Sequence, residues 1–144
     1  MAEKFRTTKS AHLESLGAFR DFVEKICQKK GIDSQTRYEL KLAVDEACMN
    51  IITHGYADMN PGSIILDLEL DARQVIMRIT DFGHPFEPFE PEAPDMNAAL
   101  EDRPTSGFGL FIIYNTMDNV DYETTEAGNT LILTKRLSRQ KVSA

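Results

Sequence analysis

Cysteine, positive charge and long apolar runs are all scarce in this chain of 144 residues. Two cysteines, Cys27 and Cys48, are too few for a disulfide framework, and we expect small apolar side chains in a reduced, cytoplasmic protein. Lysine and arginine total 16 against 23 aspartates and glutamates, giving a net charge of −7. This balance argues against direct binding to nucleic acid or to anionic membranes. No apolar run approaches the roughly 20 residues of a membrane-spanning helix, and residues 1–10 contain no signal-peptide core.

The composition is that of an ordinary globular protein. Hydrophobic residues make up 42% of the chain and charged residues 27%, which excludes the disordered, collagen-like and low-complexity classes. A chain of this length buries enough surface to form a core without disulfides or metals, and no internal repeat is visible. We therefore predict a single domain over residues 1–144.

Two helices are predicted in the first half of the chain. Apolar residues recur at helical spacing over residues 12–30, and Gly31 is a natural C-terminal stop. Asp33 or Ser34 can cap a second helix, which runs to about His54 and ends there at a glycine. The apolar stripe of the first helix consists of Leu13, Leu16, Phe19, Val23 and Ile26.

Alternating apolar and polar residues predict strands on either side of these helices. Residues 82–106 hold five prolines, and we interpret their middle, about residues 87–106, as a long loop or lid. A third helix is expected at residues 107–117. The order β, α, α, β, β, lid, α, β, β predicts the α+β class. The predicted strands are residues 3–8, 63–70, 74–81, 120–125 and 129–137, with a short hairpin turn at 71–73.

The second predicted helix contains the first candidate functional segment. Glu46, Asn50 and His54 fall within roughly 80° of one another on its surface, beside the buried stripe. The small residues Ala43 and Ala47 flank them and leave room for a ligand. A glutamate in this place can act as a general base, and an asparagine oxygen can ligate Mg²⁺. A polar helix edge that is simply solvated remains the alternative for this segment alone.

Two further segments are candidates for a binding site. Asp81 ends an apolar strand, where its carboxylate can accept a hydrogen bond from an amine such as that of adenine, and Gly83 allows the backbone to approach a ligand closely. Gly107 and Gly109 open the third helix and expose backbone N–H groups to an anion. Taken alone, the first is also typical of a strand-ending turn, and the second has a high false-positive rate.

In this order and spacing, the three segments resemble the N, G1 and G2 boxes of the Bergerat-type ATP-binding fold, which gyrase, Hsp90, histidine kinases and MutL share. The boxes are Glu46-x-x-x-Asn50, Asp81-x-Gly83 and Gly107-x-Gly109-Leu110. Three runs narrow the resemblance to anti-sigma-factor serine kinases of the RsbW type, over roughly residues 5–138. These runs are Ala43-Val44-Asp45-Glu46-Ala47 with Asn50 and His54-Gly55-Tyr56, Asp81-Phe82-Gly83-His84-Pro85-Phe86, and Gly128-Asn129-Thr130-Leu131-x-Leu133-Thr134-Lys135.

The resemblance implies a fold and a site. The fold would be a two-layer sandwich with a mostly antiparallel sheet covered by helices on one face. Asn50 would hold Mg²⁺ bridging the phosphates of ATP, Asp81 would bind the adenine amine with Thr130 nearby, and Glu46 would be the general base that activates a serine hydroxyl on a partner protein. The remaining nucleotide contacts implied for ATP or ADP are Gly83, Phe86, Arg103, Gly107, Phe108, Gly109 and Leu110.

The resemblance also implies partners: a sigma factor, an antagonist protein of the STAS type that becomes phosphorylated, and a second copy of the chain in a homodimer. One departure from the family pattern lies in the lid, where a single arginine, Arg103, stands among acidic residues and three residues separate it from Gly107. These acidic residues are Glu87, Glu90, Glu92, Asp95, Glu101 and Asp102. Acidic side chains near a triphosphate repel it unless they point outward or share the metal.

Two alternatives remain open. One is a non-catalytic module that clamps a regulatory protein, for which substitutions on the first helix would matter and Glu46→Gln would not. On that helix, Arg20 is either a surface arginine or a contact for such a partner. The other is a detached histidine-kinase ATPase domain, which is disfavoured because the sequence has no helix pair with a phospho-accepting histidine.

Overall fold

The computed structural model describes residues 2–85 and 112–138. Five strands form one antiparallel sheet in the order β1-β2-β3-β5-β4, and two long helices pack on it, so the predicted α+β class is confirmed. The strands are β1 (Glu3–Ser10), β2 (Ser63–Leu70), β3 (Gln74–Asp81), β4 (Asn119–Thr125) and β5 (Gly128–Arg136), and the helices are α1 (Leu16–Lys29) and α2 (Ser34–Asn50).

Alternation along the central strands determines which face of the sheet meets the helices. In β2 and β3 every second residue is buried and the residues between are partly exposed, because successive side chains of a strand point to opposite faces. The buried face of β3 carries Val75, Met77, Ile79 and, at the strand's end, Asp81. The end of β3 therefore places the carboxylate of Asp81 at the edge of the apolar core.

The helices cover this buried face with the residues that the helical periodicity indicates. The α1 helix buries Phe19, Val23 and Cys27, and α2 buries Leu40, Ala43, Val44 and Ala47 among others. The α1 helix ends at Lys29, and Gly31, the predicted stop, follows its C-cap with a φ of 76°. The N–H of Ile32 then reaches back to the carbonyl of Cys27 at 3.0 Å, as in a helix C-terminal motif closed by glycine.

Three boundaries differ from the prediction by more than one residue. The α1 helix begins at Leu16, preceded by a 3-10 turn at Leu13–Ser15, because His12 is still extended. The β1 strand continues to Ser10, since its pairing with β2 extends that far. The second helix is α-helical to Asn50 and then π-helical over Ile51–Gly55, so its last turn is wider than the periodicity indicated.

The hairpin between β2 and β3 is confirmed by its hydrogen bonds. The carboxylate of Asp71 accepts the N–H groups of Arg73 at 2.7 Å and Gln74 at 3.0 Å. Of the predicted third helix, residues 112–116 are helical, while its start and the predicted lid at 87–106 lie outside the described residues. Within residues 2–85 and 112–138, no helix has the length and apolarity that a bilayer crossing requires.

Candidate functional site

The carboxylate of Glu46 and the carboxamide of Asn50 lie one helical turn apart on α2. Both residues are partly buried, and they flank the fully buried pair Ala47 and Cys48. Burial raises the pKa of Glu46, and the neighbouring charge of Asp45 raises it further. A raised pKa makes a carboxylate a better proton acceptor, so the environment of Glu46 fits the predicted role of a general base.

The π-helical turn after Asn50 brings the end of this helix to the end of strand β3. The N–H of Tyr56 bonds to the carbonyl of Ile51 at 2.9 Å, which is the five-residue spacing of a π-turn. Gly55 then lies against Asp81, so close that a Cβ on this glycine would be 3.6 Å from Asp81 Oδ1. The helix that carries Glu46 and Asn50 is thereby joined to the predicted adenine-binding carboxylate.

Asp81 is a buried carboxylate held by neutral donors. It is only 5% exposed. Its Oδ1 accepts the N–H of Gly83 at 2.9 Å and the Nδ2 of Asn129 at 3.1 Å. Burial raises the pKa of Asp81, while these two hydrogen bonds act in the opposite direction. Both bonds from the described residues go to Oδ1, which makes Oδ2 the oxygen available to accept a hydrogen bond from a base amine.

The backbone of Gly83 packs against the π-helical turn that follows α2. A Cβ on Gly83 would lie 2.2 Å from the carbonyl oxygen of Gly55, and the next residue, His84, donates its N–H to that same oxygen. The sequence indicated a close approach of the backbone at Gly83, and the structure identifies the neighbour as the end of the helix. The glycine therefore locks Asp81 to the helix that carries Glu46.

Thr130, which the resemblance places near Asp81, is paired with the neighbouring residue of β3 and not with Asp81 itself. Thr130 pairs with Thr80 in the β3–β5 register, and their hydroxyls are 3.0 Å apart. Residues paired in this way share a face of the sheet, and Thr80 lies on the face opposite Asp81 because it precedes Asp81 in the strand. The prediction placed the threonine one position away from the residue that meets the carboxylate.

That residue is Asn129, which the sequence analysis missed. It is 3% exposed, and its Nδ2 donates to Asp81 Oδ1 and, at 2.9 Å, to the carbonyl of Gly83. Its Oδ1 accepts the hydroxyl of Thr124 at 3.2 Å. The only sequence signal was strand alternation: counting back in steps of two from the buried Leu133 places residue 129, not 130, on the core face.

Tyr56 is a second residue that received no role from the sequence. The residue is only 6% exposed. Its phenol hydroxyl donates a hydrogen bond to the carbonyl of Ser63 at 2.8 Å and accepts one from the N–H of Phe82 at 2.9 Å. Burial is the main reason why the pKa of Tyr56 is raised. The side chain joins three segments at one point: the end of the π-turn, the start of β2 and the end of β3.

Arg20 has a partner within the chain. Its guanidinium forms an ion pair with Asp45, the residue that precedes Glu46. Beside it, Glu24 accepts a hydrogen bond from Lys41 Nζ at 2.6 Å and forms an ion pair with Arg37 at 2.7 Å. These side chains connect α1 to the outer face of α2, away from Asp81. The half-exposed Arg20 therefore helps to join α1 to α2.

Six predicted nucleotide contacts lie outside the described residues, which end at residue 85 and resume at residue 112. They are Phe86, Arg103, Gly107, Phe108, Gly109 and Leu110. The described part of the site therefore consists of the α2 pair, the Asp81 turn and its new neighbour on β5. Asp81 contacts Gly83 and Asn129 directly, and the π-helical turn after Asn50 connects this group to α2 through Gly55.

The oxygen donors on α2 suit a magnesium ion that a nucleotide brings with it. Among the described residues no group of three or more His, Cys, Asp or Glu side chains forms a metal cage. Mg²⁺ commonly takes only one or two protein oxygens and completes its octahedron with substrate phosphates and water. The carboxamide oxygen of Asn50 is a donor of that kind, so the residue predicted to hold the ion fits it.

Comparison with known proteins identifies the class of fold and site. The histidine kinase-like ATPase domain family matches residues 9–135, so the chain belongs to this family. It is 31% identical over 144 residues to serine-protein kinase RsbW of Halalkalibacterium halodurans, with 97% of this chain and 87% of the relative covered. It is 34% identical over 104 residues to the anti-sigma F factor of Bacillus subtilis, with 72% of this chain and 71% of the relative covered.

A crystal structure supports the same architecture. The RsbU and RsbW domains of a Mycobacterium tuberculosis protein superpose with a TM-score of 0.70 at 20% sequence identity, covering 95% of this chain and 33% of that chain. At this level of identity the likeness concerns the fold alone. It agrees with the five-stranded sheet and the helical layer described above.

Proposed function

We propose that this protein is an ATP-dependent serine/threonine protein kinase that acts as an anti-sigma factor and phosphorylates an antagonist in a partner-switching system. The family match covers most of the chain, and relatives that align with the greater part of it are named serine-protein kinase and anti-sigma F factor. The proposed kinase and anti-sigma activities are inferred from these relatives. The roles proposed for single residues follow from the resemblance, and the geometry of the described residues supports them.

The observation that carries the proposal is the junction between α2 and β3. A buried carboxylate, Asp81, is held through Oδ1 by two neutral donors and lies against the extension of the helix that carries Glu46 and Asn50. An acceptor in an apolar surrounding selects a ligand that donates a hydrogen bond there, as the amine of adenine does. Catalytic and base-binding groups thus share one rigid connection.

In the proposed reaction, each described residue has a defined task. Asp81 binds the base amine, and Asn50 holds Mg²⁺, which neutralises phosphate charge when it is bound. Glu46 accepts the proton of the attacking serine hydroxyl. Phosphoryl transfer depends mainly on positioning and charge neutralisation, so these few side chains suffice on the protein's side. The glycine pair Gly107 and Gly109 would receive the phosphates.

The proposed partners are a sigma factor, a STAS-type antagonist that carries the accepting serine, and a second copy of this chain. A sigma factor as partner places the protein in the cytoplasm, in agreement with the small number of cysteines. The alternative, a non-catalytic binding module, is not favoured because relatives that cover most of the chain are named kinases.

Calorimetric titration tests the nucleotide site. ADP and a non-hydrolysable ATP analogue are titrated with and without Mg²⁺ into the wild type, Asn50→Ala and a control, Asn119→Ala, at the exposed start of β4. We expect magnesium-dependent binding that only Asn50→Ala loses. Absence of binding at millimolar nucleotide in the wild type would overturn the proposal.

A transfer assay tests the catalytic role. Glu46→Gln removes the proton acceptor but keeps the shape of the side chain, and Glu14→Gln is a matched change on an exposed residue of the 3-10 turn. With a purified antagonist and labelled ATP, we expect Glu46→Gln to bind nucleotide normally and lose transfer by about 10²-fold or more. Transfer at the wild-type rate would show that Glu46 is not the base.

A further inference from the structure

A single hydroxyl group connects three segments at the edge of the nucleotide site. The phenol of Tyr56 is buried, donates to the carbonyl of Ser63 and accepts the N–H of Phe82, at 2.8 and 2.9 Å. Since Tyr56 follows the π-turn directly, the end of the α2 helix is bonded to the start of β2 and to the first peptide after β3. No side chain of the proposed reaction makes either bond.

The bond to Phe82 fixes the orientation of the Asp81 carboxylate. The N–H of Phe82 belongs to the peptide between residues 81 and 82, so its direction sets the backbone on which Asp81 stands. The next N–H, that of Gly83, is the donor that holds Asp81 Oδ1 at 2.9 Å. If the Phe82 N–H loses its acceptor, the peptide before Gly83 is less firmly held, and Asp81 Oδ1 depends more on its second donor, Asn129 Nδ2.

The surroundings hold the phenol in one place. A Cβ on Gly62 would lie 2.8 Å from the Tyr56 hydroxyl and 3.1 Å from its ring, so the glycine supplies the space that the ring fills. Gly83 packs more tightly still: a Cβ on it would lie 2.2 Å from the carbonyl oxygen of Gly55, the residue before the tyrosine. The hydroxyl therefore has little freedom to follow a shifted turn, as preorganisation requires.

From this geometry we infer that Tyr56 is a positioning residue for the base site: its hydroxyl keeps the turn of residues 81–83 in the orientation in which Asp81 accepts the amine of an adenine nucleotide. The inference rests on the proposed function, because it assumes that Asp81 binds the base. It assigns to Tyr56 the selectivity for a base that carries an amine, while the chemical step remains with the groups on α2.

Competition binding with ADP and inosine diphosphate tests this role. Inosine carries an oxygen where adenine carries the amine, so its binding does not use the Asp81 acceptor. Tyr56→Phe removes the hydroxyl and keeps the ring, and Tyr38→Phe, at a residue 56% exposed on the outer face of α2, is the matched control. We expect Tyr56→Phe to weaken ADP roughly 5- to 30-fold, to leave inosine diphosphate unchanged and to preserve kcat at saturating ATP.

A second variant covers the case in which Tyr56→Phe does not fold. Gly62→Ala displaces the phenol without touching Asp81, and we expect the same selective loss of ADP affinity from it. Equal losses for both nucleotides, or no loss for ADP, would overturn the inference. Asp81→Asn separates this failure from that of the proposed function: if Asp81→Asn binds ADP like the wild type, Asp81 does not bind the base at all.

Discussion

Two polar clusters contact the same helix, α2, and they stabilise their carboxylates in different ways. The outer seam consists of Arg20, Glu24, Arg37, Lys41 and Asp45, where each carboxylate faces at least one cation within 2.7 Å. The inner cluster consists of Asp81, Gly83, Asn129 and Tyr56. Within residues 2–85 and 112–138, the hydrogen bonds to its carboxylate come from an amide side chain and a backbone N–H.

The difference shows how a carboxylate is kept available to a ligand. A cation compensates the charge of Glu24, so that group is already neutralised. Its pKa is lowered, chiefly by the hydrogen bond from Lys41. Neutral donors orient Asp81 but leave its charge uncompensated, and burial raises its pKa. The inner arrangement costs stability and retains an acceptor, as is common at binding sites.

The largest effect is expected from Gly83→Ala, which attacks the connection between α2 and the inner cluster. The new Cβ would lie 2.2 Å from the carbonyl oxygen of Gly55, a backbone atom that cannot move away cheaply, so we expect a loss of about 3 kcal/mol or more in the free energy of unfolding. Urea denaturation measures it.

The control for this change is Gly17→Ala. Its Cβ would meet only the end of the Arg20 side chain at 3.6 Å. Because Gly17 lies inside α1, alanine there should stabilise the helix by up to about 1 kcal/mol. Similar unfolding curves for the two variants would mean that the Gly55–Gly83 contact is not tight in solution.

The next largest effect distinguishes Asn129 from Thr130 as the residue of β5 that contacts Asp81. Asn129→Ala removes the donor to Asp81 and to the carbonyl of Gly83, and we expect a loss of about 2 to 3 kcal/mol in stability together with weaker ADP binding. Thr130→Val removes a hydroxyl that contacts Thr80 on the opposite face and should leave ADP binding unchanged. Thermal unfolding and calorimetry measure both. If Thr130→Val weakened ADP binding as much as Asn129→Ala, the face assignment would be wrong.

How much the sequence could predict follows from the range of the interactions. Alternation in β2 and β3 and the glycine after α1 predict those elements, because they act within a few residues. The pairing of Asn129 with Asp81 spans 48 positions and depends on the register of two strands that are distant in sequence. The π-turn ends where Gly55 meets Gly83, a tertiary contact that no local pattern encodes. The site segments were therefore predictable, and the contacts that orient them were not.

The contribution of Asp81 to stability should change with pH in the direction opposite to that of the outer seam. The pKa of Asp81 is raised from its ordinary value of 3.8 by burial, so the fold favours the neutral acid. This contribution to stability is complete below pH 3.8 and is lost as the pH rises through the raised pKa. Asp81→Asn cannot ionise, and its stability relative to the wild type should increase over that window. Urea unfolding at a series of pH values measures the difference. A constant difference would mean that the carboxylate is as well solvated as in the unfolded chain.

The smallest effect, with the opposite sign, is expected in the outer seam. The pKa of Glu24 is lowered from its ordinary value of 4.5, first by the hydrogen bond from Lys41, so its stabilisation is present above pH 4.5 and lost as the pH falls through the lowered pKa. Glu24→Gln should therefore cost at most about 1 kcal/mol at neutral pH, and less at high salt, because its ion pairs are partly exposed.

The same pH series serves for both carboxylates, with the unfolding of each variant subtracted from that of the wild type. The Glu24→Gln difference should shrink toward acid, where the wild type loses its ion pairs, while the Asp81→Asn difference moves in favour of the variant toward neutral pH. If both differences changed with pH in the same direction, the distinction between the outer seam and the inner cluster would be contradicted, because Asp81 too would be held mainly by a cation. Opposite slopes would show that the two carboxylates are stabilised differently, Glu24 by cations between the helices and Asp81 by neutral donors at the end of β3.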